Sequence, residues 1–94
     1  MATAVRFILQ EFARLAPGKS VEVRVPPHGA VQIVEGLGHT RGTPPNVIEL
    51  DAGTLVALAV GDETWDAAID RGVVRASGTR ATLVDLVPLS VLRE

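Results

Sequence analysis

From Ser20 to Val25 the chain alternates without a break, with Val21, Val23 and Val25 on one side and Ser20, Glu22 and Arg24 on the other. Only an extended strand sorts side chains this way, because its residues point to opposite faces with a period of two. One face of the resulting sheet must therefore be covered by something apolar. The preceding segment supplies a cover. Val5, Ile8, Leu9, Phe12, Leu15 and Ala16 follow the i, i+3, i+4, i+7 spacing of an amphipathic helix over Ala4–Ala16. Arg6, Gln10 and Arg14 fall on the opposite side, and Pro17-Gly18 ends the helix.

The turn residues Pro26-Pro27-His28-Gly29 lead into a second strand, Ala30–Glu35, which predicts an antiparallel hairpin. Gly36–Pro45 reads as a glycine- and proline-rich loop, and Asn46–Leu50 as a third short strand. Asp51 is placed to cap a helix whose residues 55–60 are apolar on nearly every side, with Gly61 closing it. Such a helix must be covered by the rest of the protein, a ligand or a partner. Asp62–Arg71 predicts a short helix with Gly72 as its C-cap, Val73–Ser77 a fourth strand, and Thr79–Val87 a last helix stopped by Pro88. The expected fold is α+β: helices on one face of a small antiparallel or mixed sheet of four to five strands, with residues 1–94 forming one domain.

Composition narrows the function. Nine basic against eleven acidic residues, one lysine and three aromatics argue against nucleic-acid binding. No cysteine is present, which removes disulfides, thiolate nucleophiles and cysteine-ligated metals. The longest uncharged apolar run, Ala52–Gly61, has ten residues, where a membrane span needs about 20. With Arg6 and Glu11 interrupting the apolar N-terminus, no signal peptide is expected, and the cytoplasm is the default compartment.

The skeleton Asp51, Thr54-Leu55, Leu58, Gly61, Trp65, Ala68, Gly72-Val73-Val74, Gly78, Leu83, Leu86 and Leu89 resembles the second half of sterol-carrier-protein-like domains. Together with His39-Thr40-Arg41-Gly42-Thr43-Pro44-Pro45-Asn46-Val47-Ile48-Glu49, it is most similar to the short actinobacterial version. Related domains end the mycothiol-dependent maleylpyruvate isomerase-like proteins. The resemblance covers residues 5–89. It implies helices roofing one face of a sheet, a cavity between the layers, and noncovalent binding of sterols, fatty acyl chains or phospholipids there. Larger forms have a fifth strand, for which the Gly36–Thr43 stretch is the candidate.

A lipid site needs aliphatic walls and few polar anchors. The expected wall is Leu55, Leu58, Trp65, Ile69, Val74, Leu83 and Leu86. The same residues could equally pack against one another as core. Arg41, with its forked guanidinium, and His39 are the headgroup candidates, the alternative being that Arg41 pairs with Glu35 or Glu49. No HExxH, G-x-S-x-G or G-x-G-x-x-G pattern occurs in the chain, and the two histidines lack metal-ligand spacing. Neither an enzyme nor a metal or cofactor is expected. The expected partner is an apolar or amphipathic small molecule. The rival is an interaction module docking on a partner protein or a second copy, in one form auxiliary to a mycothiol-dependent enzyme.

Overall fold

The computed structural model describes residues 1–36 and 46–92. Helix α1 (Ala2–Leu15) is followed by strands β1 (Val21–Val25), β2 (Gly29–Ile33) and β3 (Asn46–Leu50), helices α2 (Ala52–Val60) and α3 (Trp65–Asp70), strand β4 (Val74–Ser77) and a 3₁₀ turn at Ser90–Leu92. The sheet order is β2-β1-β3-β4. β1 pairs antiparallel with β2 and parallel with β3, and β3 pairs antiparallel with β4, so the sheet is mixed.

Register sorts the sheet into two faces. Val21, Ile33 and Asn46 share a row, as do Val23, Val31, Ile48 and Ala76. The adjoining positions on the other side form the rows Glu22, Gln32, Val47, Ser77 and Arg24, Ala30, Glu49, Arg75. Val21, Val23, Val25, Ile33, Ile48 and Leu50 are buried and form the floor of the core. The strict alternation in β1 is thus cashed in as one buried and one polar face.

Helix α1 lies over β2, and its Val5, Ile8, Leu9 and Phe12 are buried. Leu9 of α1 reaches the start of β2, where a Cβ added to Gly29 would make ordinary van der Waals contact with its side chain at 4.0 Å. Helix α2 is capped as its ends predict. Asp51 Oδ1 accepts from the Thr54 amide at 2.7 Å, and Gly61 adopts φ 89°. Its apolar surface is covered by protein: Ala52, Thr54, Leu55, Leu58 and Ala59 are buried, and Val56, Ala57 and Val60 half-buried. Helix α3 starts at Trp65 rather than Asp62, because the Thr64 hydroxyl caps it by accepting from the Ala67 amide at 3.1 Å.

The expected helix over Thr79–Val87 is absent. Its apolar spacing is real, and Leu83 is fully buried. The Thr82 hydroxyl, however, accepts from the Val84 amide two residues on (3.1 Å), giving the backbone a turn in place of a helical bond. A single turn follows, with the Leu86 and Val87 amides donating to the Leu83 carbonyl. Leu89 then returns to the core and donates its amide to Ala59 O at 2.8 Å.

Two surface pairs carry pH dependence. Arg14 donates to both oxygens of Glu11, and Arg71 to both oxygens of Glu63. Each glutamate is held below its ordinary range, chiefly by the arginine hydrogen bond and against a desolvation that acts the other way. The unfolded chain therefore binds more protons in acid. This part of the stability is complete above the usual glutamate range and is lost as pH falls through and below it. Urea melts across that interval should show a shallower acid decline for the Glu11→Gln/Glu63→Gln double variant; an unchanged slope would mean the pairs contribute nothing.

Candidate functional site

The corner where α1 ends and β2 exits is built by unusually close backbone approach. Val34 sits at φ 65°, a left-handed conformation that a β-branched residue rarely adopts. Three hydrogen bonds hold it there. Its amide donates to Ala16 O at 2.7 Å, and its carbonyl accepts from the Ser20 amide at 2.9 Å and the Ser20 hydroxyl at 2.6 Å. Gly18 lies flat against the next peptide: a Cβ there would fall 2.2 Å from the Val34 carbonyl carbon. Strain of this kind persists only where the surroundings over-determine it.

Asn46 and Arg80 tie the last part of the chain to this corner. Buried Asn46 donates from Nδ2 to Ser20 O at 2.8 Å and accepts the Arg80 amide on Oδ1 at 3.0 Å. Arg80 in turn donates from Nη1 to Glu35 O at 2.8 Å. Between these elements runs an open groove of about 410 Å³. Ala16, Val34 and Leu86 form its apolar wall, while Thr79, Arg80, Thr82 and Asp85 carry its polar groups.

Two other depressions differ in character. One of about 290 Å³ has Trp65, Val84, Val87 and Pro88 with the acidic Glu63 and Asp66. The other, of about 310 Å³, lies beside the start of α2, with Glu49, Asp51 and Arg75 among its lining residues. The Val34 groove is the largest of the three and falls within the range of small-molecule sites, roughly 300–1,000 Å³. Apolar wall and single cation together suit an amphipathic guest.

The residues expected to wall a cavity are dispersed. Leu55, Leu58 and Leu83 are 0% exposed and packed within the core, as is Val74 at 7%. Trp65 is buried and lines the 290 Å³ cleft, whereas Ile69 is 38% exposed and lines none of the three depressions. Leu86 alone of the seven reaches the Val34 groove. His39 and Arg41 lie outside the described residues, and so does the Gly36–Thr43 fifth-strand candidate beyond Gly36. Sequence reasoning missed Ala16, Val34 and Arg80. Arg80 had a legible signal: it stands in a Ser-Gly-Thr-Arg-Ala-Thr run, whose hydroxyl and glycine content marks a turn, not a helix.

Among the described residues, no three His, Asp or Glu side chains gather to hold a metal ion. None of the helices described is long and apolar enough to cross a membrane. With helices packed on a mixed four-stranded sheet and open depressions at its surface, the described part of the molecule is in class a small α+β domain. A family model described as "Bacterial SCP ortholog" matches residues 1–89, and the chain belongs to that family. Membership brings the generic SCP2-like role of binding or transfer. No curated protein matches the chain.

Proposed function

We propose that this protein noncovalently binds and carries an apolar or amphipathic small molecule of lipid, sterol or fatty acyl type. The groove beside Val34 is the site. One observation supports the reading above others: the largest of the three depressions described joins aliphatic side chains from the C-terminal end of α1, the β2 exit and the 79–86 segment beside Arg80 and Asp85. Binding there removes apolar surface from water at about 25 cal/mol per Å², with no bond made or broken. Residues 1–94 act on this reading as one sterol-carrier-like domain in the cytoplasm. The likeness of residues 39–49 to the short actinobacterial form supports a setting near mycothiol-dependent enzymes, and Arg41 and His39 remain further headgroup candidates.

The test is titration with a dansyl-labelled undecanoate, since Trp65 lies in a different cleft and its emission is a poor reporter for this groove. The wild-type protein should saturate at one site. Leu86→Glu, on the groove wall, should weaken binding at least about tenfold, equivalent to about 1.4 kcal/mol. Val84→Glu, at a position 50% exposed and lining the other cleft, should leave it unchanged. A folded Leu86→Glu protein that binds like wild type rules out the groove as the binding site. Phe7 and Leu15, 40% and 48% exposed on α1, favour the rival docking role. Concentration-dependent association without probe binding would establish that rival instead.

A further inference from the structure

We infer that the Trp65 cleft is a docking site for a partner protein, and that what docks is a basic, proline-containing segment in an extended conformation. The cleft shares no lining residue with the Val34 groove, so the inference goes beyond the carrier reading. Residues 84–88 divide between the two: Asp85 and Leu86 line the groove, Val84, Val87 and Pro88 the cleft. Trp65 is the anchor. It is only 7% exposed, yet among the described residues its indole N–H donates to no protein group and is not sealed from solvent. What is left of Trp65 at the surface therefore includes its one hydrogen-bond donor. A buried indole normally finds an acceptor for that N–H, and here the acceptor must come from the cleft side.

A peptide carbonyl supplies such an acceptor. Val84, 50% exposed, and the exposed Pro88 add an apolar surface that an aliphatic or proline side chain can cover. Charge decides the rest. Of the cleft's two carboxylates, Glu63 accepts from Arg71 Nε at 2.7 Å and Nη2 at 2.8 Å, which takes up its charge. Asp66 is exposed and forms no ion pair among the described residues, and no cationic side chain lines the cleft with it. A lysine or arginine of the guest thus finds an unpaired carboxylate in the same cleft as the donor and the apolar surface. The walls come from the C-cap of α2, from the start of α3 and from the 84–88 turn, so no strand edge is there to pair with the guest's backbone. The incoming segment must keep its carbonyls free to accept, as polyproline II does at low ordering cost.

Trp65 is the sole tryptophan, so the single indole N–H signal in heteronuclear NMR reports on this cleft directly. The probe is acetyl-Pro-Val-Pro-Arg-Pro-Pro-amide. One control carries citrulline, the uncharged isostere, in place of arginine, and a second carries glycine in place of every proline. At low salt the probe should move the indole proton downfield and saturably, as a hydrogen bond to a carbonyl requires. Citrulline should weaken binding about two- to fivefold, as one exposed charge pair allows. Glycine should weaken it as well, through lost preorganisation. Asp66→Asn, at an exposed position, should erase the difference between arginine and citrulline while the citrulline peptide binds as before. An indole signal unmoved by the probe overturns the inference, and that result needs no variant to fold. Equal affinity of the wild-type protein for the probe and either control also overturns it, as does a difference between arginine and citrulline that survives in folded Asp66→Asn protein. Movement of the signal by dodecanoate but not by the probe would assign the cleft to a small amphiphile and overturn it too. The carrier reading of the Val34 groove stands or falls separately.

Discussion

Gly18→Ala lowers the unfolding free energy by about 4 kcal/mol, the sum of a backbone and a packing cost. Gly18 adopts φ +148°, where side-chain-bearing residues are strained. Its new Cβ would also fall 2.2 Å from Val34 C and 2.3 Å from Glu35 N, both main-chain atoms that no rotamer change can move aside. The whole corner would have to open, at the expense of the Ser20 and Ala16 hydrogen bonds to Val34. Gly72→Ala is the matched control. It too has positive φ, +73°, but its Cβ would meet nothing within 4 Å, so about 1 kcal/mol of backbone strain is all it should cost. Urea unfolding of the two variants separates the terms. Equal losses would show that the Gly18–Val34 approach is not tight in solution. A chain of 94 residues has only about 5–14 kcal/mol of stability to lose, so Gly18→Ala should be visibly fragile.

Leu58→Glu should leave no folded protein at 25 °C. Leu58 is 0% exposed, packed on the inward side of α2. Truncation of such a leucine to alanine already costs about 2–5 kcal/mol. Glutamate adds a carboxyl with no partner, at several further kcal/mol whether it stays charged or takes a proton. The two losses together match or exceed the whole stability of the chain. Circular dichroism of purified Leu58→Glu protein checks this, and a native-like spectrum with cooperative melting would place Leu58 at a solvated wall instead of in the core. Leu86→Glu is the informative contrast. Leu86 is half-buried at the groove edge, so that variant should fold and lose ligand. The pair distinguishes filling the core from lining a site, two roles that a leucine in a sequence does not advertise.

Local signals were legible and long-range ones were not. β3 runs Asn46–Leu50 as its pattern predicts, and the Asp51 and Gly61 caps bound α2. Both are decided within a few residues by side-chain period and by end groups seeking partners. The 79–87 segment failed because Leu83, Leu86 and Val87 carry a helical spacing that the Thr82 hydroxyl overrides. The site was harder still. Val34 at φ 65° contradicts what its own side chain prefers, and only the Ser20 and Ala16 bonds, made by residues 14 and 18 positions away, explain it. Arg80 meets Glu35 across 45 positions. The groove thus comes from residues that no window of sequence contains together. Most of the apolar positions between Leu50 and Leu89 are core instead, as a helix apolar on nearly every side demands once the protein itself covers it.

On the carrier reading the guest lies beside Val34. Methyl-labelled protein, followed by heteronuclear NMR during titration with dodecanoate, tests it most directly. Saturable shifts are expected at the methyls of Ala16, Val34, Thr82 and Leu86, with Leu55, Leu58 and Leu83 unmoved in the core. Shifts gathered on Leu55, Leu58 and Leu83 with Val34 silent would contradict it, because the guest would then enter between sheet and helices instead of lying in the groove.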